Sequence, residues 1–465
     1  MTKEKYFKIV SYLKEIIKDT EFENHLYCVG GCVRDEIMNH PIKDVDICVT
    51  LPDGGIKFAE WLFEKGYLTH PPVLYPTYGT SMFKLREFPE DELEAVQTRK
   101  EQYKDKDSRN PETEYGTIEE DASRRDLTIN ALYWNVSKGE LIDPTGKGKE
   151  DIKNQVIRVT NPNPDIVFID DPLRILRVCR FSSRYGWYIT DETYQSMKKN
   201  VDRLSIISQE RITDEFNKMI TCDKPVMALN LIKNIDAMKY VIPELEETYD
   251  MSQNSYHFGT VWEHTLKTVK ETTSNDITLR VSALLHDIGK IMCRTIDDRG
   301  KVHFYEHERY SADLCEIILK RMKYPNDFIK KVCKIVRNHM RTKAWTDNCS
   351  HMKDKALRKM WYELGTDINI CLDLIHADNI SHASDHCMPN QVPLIKKRLQ
   401  ELKNNGEDMV AYKLPVDGND VMKVLGIPPG SKIKECMKWL MKMAFNNPNI
   451  SKEMMLKQIK QFNKK

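Results

Sequence analysis

Residues 27–50 read YCVGGCVRDEIMNHPIKDVDICVT, and the order of turn, helix and strand within them decides how the first third of the chain folds. Gly30-Gly31 follows a short strand-like run and precedes a helical one. Paired glycines let backbone N–H groups approach phosphate oxygens, and a following helix N-terminus adds positive potential. Arg34 sits where it would reach the same anion. In DVDICV, Val45, Ile47 and Val49 alternate with Asp44 and Asp46, which predicts a strand with an apolar face and both carboxylates on the other. Two adjacent carboxylates repel unless a cation lies between them, and Mg²⁺ suits oxygen donors. Glu94, in the strand-like text ELEAVQTRKE (92–101), offers a third carboxylate and shares a face with Val96. Three carboxylates beside a glycine phosphate turn suit metal-assisted phosphoryl transfer at a nucleoside triphosphate.

Outward from this stretch, residues 26–150 alternate β-branched runs (45–50, 80–86, 93–98, 132–136) with turn text such as LPDGG at 51–55. Segment 100–118 is strongly polar and reads as a loop. Beyond about 165 the pattern becomes almost wholly helical, punctuated by Pro172, Pro225, Pro243 and Pro325. The predicted class is therefore α+β: a small mixed-sheet head, then helical regions. The 465 residues allow several domains, and 40% hydrophobic content supplies real cores. No apolar run approaches a membrane span, so no membrane partner is expected. The first 22 residues read as a surface helix rather than a secretion signal. Twelve scattered cysteines without a C-x-x-C pair point to reduced thiols and a cytoplasmic location. The net charge of +1 excludes global capture of nucleic acid, yet residues 391–465 hold 15 Lys+Arg against 7 Asp+Glu. That tail is either a lysine-rich solvated helical surface or a patch that would follow a phosphate backbone without reading bases.

Two further constellations carry chemistry. In 170–184, DDPLRILRVCRFSSR, Asp171 reads as an N-cap and Pro172 as the first helical residue. Arg174, Arg177, Arg180 and Arg184 then share a face. A solvated arginine face is the plain interpretation. The functional one is that Asp171 and Arg174 jointly present donors and an acceptor to the edge of cytosine or adenine. Guanine and uracil would leave those groups unpaired. Further on, WEHTL and ALLHDIGK hold His264 and the adjacent pair His286-Asp287, and LIHADN holds Asp378. A His-Asp pair inside an apolar helix demands a buried partner, and a metal supplies one.

Taken with EDASRRDLTINALYWN (120–135), LIDPTGKGKEDIKNQVIR (141–158) and IDDPLRILRVCRFSSRYG (169–186), the opening stretch resembles the tRNA nucleotidyltransferase/poly(A) polymerase family, specifically its bacterial-type CCA-adding enzymes. The resemblance covers about 1–220 closely, and a second block carries it to roughly 390 and more weakly to the C-terminus. It implies a five-stranded nucleotidyltransferase head (1–148), a helical neck with a base-recognition element (149–222), a helical body (223–390) and a basic, RNA-contacting tail (391–465). It implies Asp44, Asp46 and Glu94 as the catalytic carboxylates, the two aspartates holding Mg²⁺. Gly30, Gly31 and Arg34 would hold the triphosphate, and Arg125, Asp126 and Asn130 the ribose and phosphates. Asp171, Arg174 and Arg177 fall in the base-recognition element, with Asp170 where the family usually has Glu. Cys32 stands where the family often has Ala. The loop at 100–118 falls where the family has a flexible loop linked to the switch from C to A addition.

The text at 264–378 resembles the H…HD…D signature of HD-domain phosphohydrolases, and His307 and His339 lie where dinuclear members carry further ligands. That implies a second divalent site, for Mg²⁺ or a transition metal, at His264, His286, Asp287, His307, His339 and Asp378. The expected function is template-independent CCA addition to tRNA from CTP and ATP, with a possible added phosphohydrolase. The alternatives are a poly(A) polymerase or partial adding enzyme, an HD phosphohydrolase with a non-catalytic RNA-binding head, and an RNA-binding regulator.

Overall fold

The computed structural model describes residues 1–102, 112–254, 256–257 and 259–462. The chain divides into two compact units, Met1–Val241 and Ile242–Lys465.

In the first unit, α1 (Lys3–Ile16) starts where the Thr2 hydroxyl accepts from Lys5 N, and buries Tyr6, Ile9, Val10 and Leu13 at helical spacing. The sheet strands are β1 (Leu26–Val29), β2 (Val45–Val49), β3 (Val73–Tyr75), β4 (Thr80–Phe83) and β5 (Leu93–Gln97). Between them run α2 (Gly31–Ile37) and α3 (Gly54–Glu64). The hairpin β6 (Arg99–Gln102)–β7 (Glu112–Tyr115) follows, then α4 (Ile118–Ser123), β8 (Tyr133–Asn135) and β9 (Glu140–Ile142). Sheet order is β3-β4-β5-β2-β1-β8-β9; β2 and β5 are parallel and all other neighbours antiparallel. The head sheet therefore has seven strands, not five: short β3 and β9 extend its two edges. The expected loop at 100–118 is in part the β6–β7 hairpin, and its residues 103–111 lie outside the described residues.

The two faces of β2 divide as the alternation predicts. Val45, Ile47 and Val49 join a core with Phe58, Ala59 and Leu62 of α3 and with the buried face of α1. Cys48, two residues from Asp46 on the opposite face, joins Tyr27, Val29, Ala131 and Tyr133.

The rest of this unit is α5 (Gly148–Asn154), β10 (Val156–Ile157), α6 (Pro164–Asp170), α7 (Leu173–Tyr185), β11 (Tyr188–Ile189), α8 (Asp191–Asn200), α9 (Gln209–Ile220), α10 (Pro225–Asn234) and α11 (Met238–Val241). The β10–β11 parallel pair interrupts the expected all-helical run. Helix α7 begins at Leu173, one residue later than predicted, because Pro172 occupies the capping position. Asp171 still caps it: its Oδ1 accepts from Leu173 N at 3.2 Å.

In the second unit a Thr260/Glu263 capping box opens α12 (Val261–Lys270). It packs on α13 (Ile277–Leu285) and on α18 (Ile368–Ser381). Between these lie α14 (Lys290–Cys293), the hairpin β12 (Arg294–Ile296)–β13 (Val302–Phe304), α15 (His307–Arg321), α16 (Asn326–Asn338) and α17 (Asp354–Leu364). The hairpin is a second departure from an all-helical region. Four helices close the chain: α19 (Gln391–Asn404), α20 (Gly418–Leu425), α21 (Ser431–Ala444) and α22 (Lys452–Phe462). Buried Arg358 of α17 ties them down, donating to Glu407 at 2.6 and 3.0 Å and to the Phe445 carbonyl at 3.2 Å.

Candidate active site and metal centre

The turn between β1 and α2 puts Gly30 at φ +74°, a conformation glycine adopts without strain. A Cβ there would make ordinary contacts, 3.4 Å from Arg125 Nη1 and 3.9 Å from Asp46 Oδ2, so the backbone angle rather than space calls for glycine beside the carboxylate. Gly31 opens α2 and frees its first amides. Asp46 faces Glu94 directly across the parallel β2–β5 pair. Asp44 precedes β2 by one residue rather than lying within it, and is exposed. Burial and the neighbouring Glu94, with Asp44 adding to them, push the Asp46 carboxyl up to about 6, against the pull of Arg125. Burial also raises Glu94. Such a group is short of positive charge, and an oxygen-ligated divalent cation fits it.

These residues open onto a cavity of about 370 Å³ that brings together Gly30, Gly31, Arg34, Asp44, Asp46, Arg125, Asp126, Asn130 and Arg177. A chain of hydrogen bonds sets its walls. Buried Arg34 donates to Asn130 Oδ1 and, at 2.8 Å, to Asp35. Asn130 Nδ2 donates to Asp126 Oδ1 at 3.0 Å, and Arg177 Nε to Asp126 Oδ2 at 2.8 Å. Burial alone would raise Asp126; Arg177 and Asn130 hold it well below the usual carboxylate range. Arg125 is fixed by Asp121, which the Tyr133 hydroxyl also donates to. Sequence reasoning missed Asp35, Lys43, Arg180, Phe181 and Arg184 in the lining. The three-four spacing of the arginines on α7 was the available signal for two of them.

The structure does not bring Asp171 and Arg174 into that lining. Arg174 is buried rather than on an open arginine face; it donates to the Arg124 carbonyl at 2.6 Å and the Val167 carbonyl at 3.3 Å. Asp171 instead accepts from Arg211 at 2.9 Å. Glu94 is likewise beside Asp46 but outside the lining.

In the second unit the six expected donors converge. The pair His286-Asp287 does not lie inside a helix: α13 ends at Leu285 and both residues form the turn before α14. Gly289 in that turn admits the first turn of α15, since a Cβ would meet Ser311 N at 2.2 Å and the His307 carbonyl at 2.6 Å. Asp287 Oδ1 lies 3.2 Å from His307 Nε2 and 3.9 Å from His339 Nε2. Asp287 Oδ2 lies 3.2 Å from His286 Nε2 and 3.6 Å from His264 Nε2. Asp378 Oδ1 lies 3.1 Å from His264 Nε2. The Nδ1 atoms of His286, His307 and His339 sit 2.9, 3.0 and 2.7 Å from the carbonyls of Ala283, Phe304 and Val336. A carbonyl only accepts, so each Nδ1 carries a proton, and in the neutral ring the Nε2 lone pair points into the cluster; for His286, against burial, the charges of Asp287 and Asp378 favour the protonated ring until a cation replaces that proton. Buried His286 Nε2 has no hydrogen-bond partner among the described residues. The donor set thus fits one or two divalent ions.

Burial and the neighbouring imidazoles His286 and His307 depress His339 to about 3, which keeps it in the neutral form a metal needs. Burial works against ionised Asp287 and Asp378, yet His286 and Lys290 at the first, and Lys343 and His382 at the second, hold both well below the usual range. Lys290 Nζ lies 2.7 Å from Asp287 Oδ2, and Lys343 Nζ 2.9 Å from Asp378 Oδ2. Sequence reasoning missed both lysines and His382; the i,i+3 spacing in HDIGK signalled the first, whereas nothing local marks Lys343.

Residues 26–158 match the poly A polymerase head domain, 186–248 a probable RNA and SrmB-binding site of polymerase A, and 254–381 the HD domain. A multifunctional CCA protein of Aliivibrio salmonicida is 32% identical over 330 residues, spanning 68% of this chain and 74% of that one. The chain belongs to the family of CCA-adding tRNA nucleotidyltransferases. Another relative, the mitochondrial CCA tRNA nucleotidyltransferase of Saccharomyces cerevisiae, is 36% identical over 225 residues, 45% of this chain and 40% of that one. The Bacillus stearothermophilus CCA-adding enzyme, solved in complex with CTP, shares the fold: TM-score 0.71 at 20% identity, over 98% of both chains. This is a nucleotidyltransferase carrying an HD domain. Among the described residues no helix is long and apolar enough to cross a membrane.

Proposed function

We propose that the protein completes tRNA 3′ ends with CCA, drawing on CTP and ATP without a nucleic-acid template. The observation that carries this reading is Asp46, paired with Glu94 on the neighbouring strand, opening beside the Gly30 turn onto a cavity that Arg34, Arg125, Arg177, Arg180 and Arg184 also line. Asp44 and Asp46 would hold Mg²⁺, with Glu94 the third carboxylate beside them. When bound, the ion lowers the pKa of the attacking hydroxyl and offsets charge on the triphosphate. The chain's own residues do the rest. Arg34 and the α2 amides bind the triphosphate, and Arg125, Asp126 and Asn130 the sugar and phosphates. Arg177, locked to Asp126, orients the base toward α7. The tRNA 3′-oxygen attacks the α-phosphorus, its proton is lost, and pyrophosphate leaves. Asp171 and Arg174 read cytosine or adenine. Because both are engaged elsewhere in this structure, base reading on this account requires Asp171 to exchange Arg211 for the nucleotide. The basic tail at 391–465 follows the tRNA backbone, and residues 1–148, 149–222 and 223–390 act as head, neck and body.

The HD cluster supports a second activity, hydrolysis of a phosphoester. His264, His286, Asp287, His307, His339 and Asp378 would hold the metal, which supplies an activated water when bound.

The test gives purified protein, Mg²⁺ and tRNA transcripts ending before CCA, after C and after CC each triphosphate alone and CTP with ATP. Stepwise C, C, A with arrest is expected. Long A tails would reassign the protein to poly(A) synthesis, and no addition by folded, tRNA-binding protein would refute the reading.

A further inference from the structure

Asp121 on α4 touches neither the expected metal nor the cavity, yet it is a fully buried charge. Burial alone would raise its carboxyl; Arg125 and Arg124 hold it well below the usual carboxylate range. A buried ion cluster of this kind contributes little net stability, because desolvation offsets most of the attraction. What it supplies is fixed geometry for the groups it binds.

The two oxygens hold different partners. Oδ2 accepts from Arg125 Nε at 3.1 Å and Nη2 at 3.0 Å, and from the Tyr133 hydroxyl at 2.5 Å. Arg125 Cζ also lies over the Tyr133 ring, 5.4 Å from its centroid. With that edge of the guanidinium held, Nη1 is the end that faces the Gly30 turn, 3.4 Å from where a Cβ of Gly30 would stand. Oδ1 accepts from Arg124 Nε at 2.9 Å and Nη2 at 2.6 Å, and from the Arg99 backbone amide at 3.2 Å. The Arg124 carbonyl in turn accepts from Arg174 Nη2 at 2.6 Å. One carboxylate thus fixes a residue that lines the cavity and the residue that seats Arg174.

We propose that Asp121 is a positioning residue for nucleotide addition: Oδ2 sets Arg125 against the sugar and phosphates, and Oδ1 sets, through the Arg124 carbonyl, the place from which Arg174 reads the base. The proposal rests on the reading of Arg174 as a base-recognition residue and adds what keeps that residue in register with the triphosphate. An Asn at this position keeps one acceptor oxygen, so whichever way its amide turns, one arginine meets N–H groups instead of an oxygen.

The full chain with Mg²⁺ and tRNA transcripts ending after C and after CC would be assayed for KM and kcat with CTP and ATP. The ratio of correct to incorrect addition would be measured with GTP and UTP. In Asp121→Asn, KM should rise about tenfold and the ratio should fall about tenfold. A purely structural loss would instead lower kcat by removing active molecules, and would leave KM and the ratio as in wild type. Two milder variants separate the oxygens and carry the test should Asp121→Asn not fold, with thermal melts confirming their own folding. Tyr133→Phe keeps the ring but removes a donor to Oδ2, so KM should rise about threefold with the ratio unchanged. Arg124→Ala acts on Oδ1, so the ratio should fall about threefold with KM within about twofold of wild type. A wild-type KM in Tyr133→Phe, or a wild-type ratio in Arg124→Ala, would overturn the proposal. A ratio blurred in Arg174→Ala but intact in Asp121→Asn would overturn this proposal alone. A ratio intact in both would overturn the base reading, and the proposal with it.

Discussion

Replacing Asp46 by Asn should stabilise the metal-free protein while destroying nucleotide addition. The carboxyl is raised from an ordinary 3.8 to about 6, chiefly by burial and Glu94. A carboxyl with a raised folded-state pKa favours the fold when protonated. Its penalty is therefore absent below pH 3.8, develops between 3.8 and 6, and is complete above 6. Two pKa units correspond to roughly 3 kcal/mol at ~1.4 kcal/mol per unit. Asp46 is partly exposed, so solvent screening reduces this to roughly 1.5 kcal/mol. For a unit of 241 residues that is a rise in Tm of about 3–6 °C. The assay is calorimetry of both proteins with EDTA at pH 8 and pH 4, then with Mg²⁺. The variant should melt higher at pH 8, the gap should shrink at pH 4, and Mg²⁺ should raise the first-unit transition of the wild type more than that of the variant. A variant no more stable than wild type at pH 8, or an equal Mg²⁺ response in both, would refute the view that repelling carboxylates form a cation site here.

Other perturbations probe the remaining parts. Asp44→Ala, exposed and outside the strand, should abolish addition while leaving tRNA affinity unchanged in filter binding; substantial residual addition would sink the metal assignment. Arg174→Ala removes a donor from the Arg124 and Val167 carbonyls, the second of which keeps Asp171 N, so it should cost about 1 kcal/mol and blur the choice of CTP and ATP over GTP and UTP in single-nucleotide assays. His286→Ala should remove metal-dependent phosphoester hydrolysis and spare nucleotide addition; survival of both activities would show that the HD centre is not catalytic. Arg358→Ala leaves Glu407 unpaired, and urea unfolding of the second unit should lose about 3 kcal/mol with little change in addition at low temperature.

Legibility differed between the two sites for a physical reason. The pair His286-Asp287 stood out in the sequence because two polar groups among apolar residues need a buried partner, whereas His307 and His339 were named only through the resemblance to HD-domain proteins. The carboxylates of the head were readable because strand alternation places Asp46 on a known face. Spacing puts Arg174 on one side of α7 with Arg177, Arg180 and Arg184, yet Arg174 is buried. Helical spacing tells which residues share a side of α7, not which of them another segment covers. Asp171 likewise caps α7 as expected, yet its second oxygen goes to Arg211, forty residues away.

Local chemistry, then, sufficed for the class of fold, the Gly30 turn and the parity of β2, because glycine stereochemistry and side-chain alternation act over a few residues. Only tertiary packing decided that Asp46 meets Glu94 across parallel strands and that Arg177 is spent on Asp126. It also placed Lys290 and Lys343 against the HD aspartates. Those contacts join residues far apart in the chain, and their geometry comes from how helices and strands pack rather than from any local pattern.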